Sequence, residues 1–192
     1  MSTPSAAPAK ATRLANEVAR PLTLSERAVG LLTPTLTPRQ YFDRLASVPL
    51  PDDAIRFLAA ALPKREAVGW GLLCLKELLV KPLEAPAAKA LAAAEAWVKD
   101  PSEANRQAAG AAAEAAGYGT PGGCLAAAAF WSGGSLAPPH LPPVPPRDDL
   151  TGSAVTGAIV LAAAQAEPGL EPAKARGLAL GADVATGKVK VG

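Results

Sequence analysis

The tetrapeptide TPRQ (37–40) decides how a chain of 192 residues with 20 prolines folds. So many prolines suggest disorder until their positions are considered. Thr37 can accept at a helix N-cap, Pro38 can stand as the first helical residue, and Gln40 can return a bond to the cap. Proline suits that position because the N–H it lacks would have had no helical partner there. DPSE (100–103) repeats the device with Asp100, Pro101 and Glu103. Thr120 and Pro121 open another helix, and TLSE (23–26) is a capping box without proline. The prolines therefore delimit helices.

Working outward from these starts, a mobile tail covers 1–21, and helices are expected over 24–32, 38–46, 52–62, 64–80, 86–99, 101–116, 121–131, 152–166 and 172–185. One helical domain spans 22–186. The closing GKVKVG (187–192) either adds a short strand or frays. The composition agrees: 45 alanines stand against three Phe, three Trp and two Tyr. Alanine is the best helix former and costs little side-chain entropy, so such a chain packs many helices closely around a few large residues.

The helix over 64–80 is the central one. Val68, Leu72, Leu75 and Leu79 form a stripe at 3.6-residue spacing, and Trp70, Leu73, Cys74 and Leu78 occupy its other sides. A helix apolar nearly all round is buried among neighbours. Gly69 and Gly71 weaken it by about 1 kcal/mol each relative to Ala, in return for close approach of another helix or of the Trp70 indole. Ala87, Leu91, Ala94 and Val98 face one way on the next helix, with Trp97 at the edge. Ala108, Ala109, Ala112 and Ala116 oppose Glu103, Arg106, Gln107 and Glu114 on the one after, so the two form an antiparallel hairpin. The fold class is all-α, an irregular bundle or a short solenoid of helical hairpins crossed by an extended proline-rich strap over 132–148.

Charge and composition exclude several functions. A net charge of +2, with basic and acidic residues interleaved, gives no footprint for nucleic acid. AVTGAIVLAAAQA (154–166) is too short to span a bilayer. The first residues lack the apolar core of a signal peptide, so the chain reads as soluble and cytoplasmic. Cys74 and Cys124 sit in apolar helical settings, and one histidine cannot complete a zinc site without carboxylates. No metal or cofactor is expected. GYGTPGG (117–123) lacks the Lys-Ser/Thr of a phosphate-binding loop and reads as a helix end, a turn and a new helix. Asp52 and Asp53 are first-turn acids favoured by the helix dipole. Catalytic use of His140 would need a third group to orient it.

FWSGGSLAPPHLPPVPP (130–146) is too proline-rich for a helix, and polyproline II is its natural form. It reads first as a strap held on the helical body by Phe130, Trp131, Leu136, Leu141 and Val144, with Gly133 and Gly134 allowing the turn. Second, it reads as a ligand for an aromatic-lined groove on a partner.

LTPRQYFDRL (36–45), DDAIRFLAAALPKREAVGW (52–70), AAEAWVKDPSEANRQAAGAAAEAAGYGTPGG (93–123) and FWSGGSLAPPHLPPVPP together resemble an uncharacterised family of small bacterial proteins, a domain of unknown function. The resemblance covers about 36–185, FWSGGSLAPP being its most specific element. Gly69 and Gly71 depart from it, where bulkier residues are expected. It implies no activity, cofactor or catalytic residue. The expected function is a non-catalytic protein-protein interaction or structural adaptor, an accessory part of a bacterial multiprotein assembly. Its contact candidates are Tyr41, Phe42, Arg65, Trp131, Pro138, Pro139, His140, Pro142 and Pro143. The alternative is a small enzyme or ligand-binding protein whose pocket gathers Asp52, Lys64, Arg65, Glu66, Tyr118 and His140. An alanine-rich face also leaves a homo-oligomer open.

Overall fold

The computed structural model describes residues 13–138 and 140–191, and among these it contains helices and no strand. The helices are α1 (Ala15–Ala19), α2 (Glu26–Gly30), α3 (Pro38–Ala46), α4 (Pro51–Ala61), α5 (Lys64–Leu78), α6 (Ala85–Lys99), α7 (Glu103–Ala116), α8 (Pro121–Phe130), α9 (Leu150–Ala163) and α10 (Leu170–Ala185). The packing is an irregular helical bundle. Consecutive helices α6 to α9 pair as hairpins, and α9 and α10 return onto α4 and α5.

The proline-marked starts hold where a hydroxyl precedes the proline. Thr37 Oγ1 accepts from the Gln40 N–H at 3.2 Å, while Gln40 Oε1 accepts from the Thr37 N–H at 3.0 Å. Thr120 caps α8 through the Gly123 N–H at 3.1 Å. Two of the expected capping residues change. Ser102, not Asp100, caps α7, and Pro101 lies outside the helix, where Asn105 instead donates to the Asp100 side chain. Ser25, not Thr23, caps α2. Ser25 is itself held, since its N–H and hydroxyl both donate to the buried Asp53 carboxylate at 2.9 and 2.7 Å. One of the first-turn acids is thus a tie between α2 and α4.

The expected mobile tail is also corrected over its described part. Residues 1–12 lie outside the described residues, but 15–19 form α1. Its Ala15, Val18 and Ala19 are buried because the helix packs on α3 and α4, and Glu17 caps its start by accepting from the Leu14 N–H at 2.8 Å. At the other end Val189 and Val191 pack against the core.

At the centre α5 meets α4, α6, α8, α9 and α10. Trp70 is fully buried, and its indole N–H donates to the Gly177 carbonyl of α10 at 2.8 Å. A Cβ on Gly181, one turn further along α10, would come within 2.5 Å of Leu58 and 2.7 Å of the Trp70 ring. The indole therefore fits a notch made by absent side chains. The glycines expected to permit close approach do so. A Cβ on Gly71 would meet Leu125 of α8 at 2.5 Å, and Gly69 backs directly on Val191.

Across the bundle, α8 carries no charged residue and is buried from Pro121 to Gly123 and from Leu125 to Ala129. Gly122 backs directly on the Ala87 carbonyl of α6, and Gly110 of α7 lies against the Phe130 ring. Where side chains are this small, backbones approach closely and packing depends on the missing atoms. Lys174 joins α10 to α4: its buried ammonium lies 2.9 Å from Asp52 and 2.9 Å from Glu171.

Candidate functional site

The proline-rich segment leaves α8 at Phe130 and returns to the bundle at α9. It closes on itself near its base. The Leu136 N–H donates to the Val144 carbonyl at 2.8 Å. Ser135 Oγ accepts from the N–H groups of Ala137 and Val144, each at 3.0 Å. Within the lap, the Leu141 N–H donates to the Pro138 carbonyl at 3.0 Å. Proline supplies no N–H, so the few amides in this stretch carry the closure, and one serine hydroxyl serves two of them.

The stem is fixed to α7 by Arg106, whose guanidinium is buried. Its Nη1 donates to the Phe130 carbonyl at 2.6 Å and Nη2 to the Ser135 carbonyl at 3.1 Å. Nε and Nη2 donate to Glu103 at 2.6 and 2.7 Å. The guanidinium also lies 4.7 Å from the centroid of the Phe130 ring, a cation-π contact. Gly134 has φ +64°, a left-handed turn that favours glycine. Arg106 and Gln107 hold the Glu103 carboxyl well below its ordinary value, at about 2, against a small opposing effect of burial. On the returning side Arg147 pairs with Asp149, and Lys64 lies 3.5 Å from Asp148.

Between these anchors the lap is presented to solvent. Pro138, His140, Pro142 and Pro143 are exposed, and Leu141 and Val144 are each 51% exposed. These last two, expected against the helices, face outward because the loop's bonds close within it. Leu136 keeps to the body, where it lines a groove of about 220 Å³ with Gln107, Gly110 and Pro138. Pro139 lies outside the described residues. Trp131, half-buried, stacks on the exposed Tyr118 at 5.8 Å.

Three other expected contact residues serve the fold. Tyr41 is fully buried, donates its hydroxyl to the Ala28 carbonyl at 2.7 Å and meets Phe57 edge-on at 4.7 Å. Phe42 is buried beside it. Both form the inward face of α3 and leave the set of surface candidates. Arg65 donates to the Val98 and Lys99 carbonyls at 2.7 and 3.2 Å, ending α6 where free carbonyls need donors.

The polar residues of the alternative pocket are not gathered. Asp52 pairs with Lys174, Lys64 with Asp148, Arg65 caps α6, and Tyr118 stacks on Trp131. Glu66 lines a separate groove of about 380 Å³ beside Arg39, and His140 stands in the exposed lap. Among the described residues no group of three or more His, Cys, Asp or Glu could hold a metal ion, and no helix is long and apolar enough to cross a membrane.

Arg106, expected on the polar face of α7, lies on the buried stripe with Ala109, Gly110 and Ala113. Its spacing of three, four and seven from those small residues was the available signal. The profile of a family of unknown function (DUF6931) matches residues 41–185. No curated protein and no solved structure matches the chain.

Proposed function

The chain belongs to DUF6931, a family of unknown function, and from that premise we propose that it is a non-catalytic protein-binding adaptor in a bacterial multiprotein assembly. Its docking element is the proline lap, and its partner is a protein with an aromatic-lined groove. The observation that carries this reading is an exposed apolar lap on a buried ionic anchor. Leu141 and Val144 are each 51% exposed, while Arg106 fixes the outgoing side of the lap through the Phe130 and Ser135 carbonyls. Proline and the Ser135 bonds order the lap before any partner arrives, so association loses little further conformational entropy. Polyproline II segments keep their carbonyls free and dock on such aromatic-lined grooves with little loss of entropy. The near-neutral charge and the dispersal of the polar residues favour a protein partner in the cytoplasm over a nucleic acid or a reaction.

The test compares the tagged chain with a Leu141→Ser/Val144→Ser variant in capture from native cells. Circular dichroism and the unfolding midpoint establish that the variant is folded. A stoichiometric partner held by the wild type and lost by the variant supports the reading. A partner retained by the variant moves docking elsewhere, and no reproducible partner for either protein refutes the adaptor.

A further inference from the structure

The returning half of the lap, LPPVPPR (141–147), orders its side chains by edge. From Pro142 to Arg147 the chain makes neither turn nor bend, and four of these six residues are proline. Such a run takes the polyproline II form, with three residues per turn, so residues three apart share an edge. Val144 and Arg147 lie on one edge, which Leu141 heads. Pro142 and Pro145 lie on the second, Pro143 and Pro146 on the third. The first two edges are exposed along their length, whereas the third turns inward at the half-buried Pro146. The Val144 N–H and carbonyl are both spent inward, on Ser135 Oγ and the Leu136 N–H, which leaves the side chain outside.

The first edge ends in a cation. The Arg147 side chain is 77% exposed, and its Nε and Nη2 donate to Asp149 at 2.9 and 2.5 Å. The Leu150 N–H donates to its carbonyl at 3.2 Å, so its backbone is tied to the start of α9. Nη1 has no partner among the described residues, and the Nη1–Nη2 side of the guanidinium fork is open to a second carboxylate. Both acids beside it are matched, since Asp148 lies 3.5 Å from Lys64. From 132 to 146 the sequence has no other Lys or Arg. An edge of apolar groups does little to distinguish its two directions, and a charge at one end does.

We infer that Arg147 sets the specificity of the lap, and that the partner's aromatic-lined groove ends in an acidic pocket. That pocket lies one turn, about 9 Å, beyond the slot that takes Val144. This rests on the lap being the docking element. The Leu141, Val144 and proline edges fill the aromatic part of the groove, while the guanidinium attracts the pocket and fixes the direction in which the lap is read. Asp149 is a positioning residue, holding the arginine in place so that less side-chain entropy is lost on binding.

The probe is a purified SH3-type domain whose aromatic groove ends in carboxylates, beside the same domain carrying amides in their place. Each is titrated against the full chain by calorimetry. The wild-type chain binds the acidic domain, and the amide form about tenfold more weakly, the scale of one charge-assisted pair. Arg147→Ala loses the same factor on the acidic domain and does not sense the amide change, so the two losses are not additive. Arg147→Lys keeps the charge without the fork and falls between. Leu141→Ser/Val144→Ser abolishes binding to both domains, and unfolding midpoints establish that these exposed-site variants are folded. If Arg147→Ala binds as the wild type does while Leu141→Ser/Val144→Ser does not bind, the inference is overturned and the lap keeps its role. If the two losses simply add, Arg147 does not meet the acidic pocket and the inference is again overturned. If the wild-type chain binds neither domain, the inference and the reading of the lap fall together.

Discussion

The guanidinium of Arg106 stands 2.6 Å from where a Cβ on Gly134 would lie, so the left-handed glycine and the buried arginine fit one another. Any side chain at 134 would strain the backbone and displace the group that holds the loop.

Arg106→Met removes the donors to Phe130 and Ser135 while keeping much of the packing volume. Their carbonyls lose a charged partner, so the loss in stability is about 2–3 kcal/mol. Hydrogen exchange accelerates at Leu136 and Val144, beyond the substituted helix. The unfolding midpoint and the exchange map check the two effects separately. Exchange at these amides no faster than in the wild type would show that Ser135 holds the lap unaided.

Glu103 supplies a pH dependence. Hydrogen bonds from Arg106 and then Gln107 lower its pKa from 4.5 to about 2 in the folded chain. Because the folded value is depressed, the contribution is complete above about pH 4.5 and disappears as pH falls through about 2. The side chain is 62% exposed, so water screens the pair and the contribution is about 1 kcal/mol. Urea titrations of wild type and Glu103→Gln at neutral pH therefore differ by that amount, and the curves converge in acid.

Lys174 shows the opposite sign. Burial pulls its pKa down, but Glu171 and then Asp52 outweigh it and leave it raised. The stabilisation is therefore present below the ordinary lysine value and is lost as pH rises through the elevated one. Lys174→Met leaves two largely exposed carboxylates free to solvate and costs about 1 kcal/mol. The double variant Asp52→Asn/Glu171→Gln leaves a buried ammonium without a counter-charge and costs about 3 kcal/mol. Equal losses in the two variants would show that the ammonium is not held by this pair.

Gly181→Ala places a methyl group against Leu58 and Trp70, at 2.5 and 2.7 Å in the unrelaxed structure. Overpacking of this kind costs about 1–3 kcal/mol and exceeds the helical gain from alanine. Gly30→Ala, with nothing within 4 Å of its new Cβ, is neutral or stabilising by up to about 1 kcal/mol. Thermal midpoints of the two variants should move in opposite directions or only the first should move.

The cysteines give a chemical readout of burial. Desolvation pushes the Cys74 thiol far up, with Glu77 adding to the effect. Burial raises Cys124 less, and its Sγ donates to the Tyr118 carbonyl at 2.8 Å. A thiol reagent at mildly alkaline pH labels Cys124 slowly in the native chain and reaches Cys74 only on unfolding, because the thiolate is the reacting form. Fast native labelling of both would contradict this packing.

Much of the helical map was legible because its signals are local. TPRQ gives the start of α3 and Thr120-Pro121 the start of α8. Tyr41, Phe42 and Leu45 already fall on one face of α3, so their burial was readable as well. Two other features lie beyond local pattern. Ser135 closes its loop through Val144, nine residues away, and Trp70 meets its acceptor 107 residues away. Such pairings depend on where whole helices come to rest. The lap's exposure follows from its internal bonds, whereas its proline and apolar content points first to a strap packed on the helical body.

The notch that receives Trp70 is carried by the last helix, at Gly177 and Gly181. During synthesis the indole therefore emerges long before its socket. A nascent chain arrested ahead of α10 lacks both the Gly177 acceptor for the indole and the helix that packs on α4 and α5. Completion of the core is therefore coupled to completion of α10.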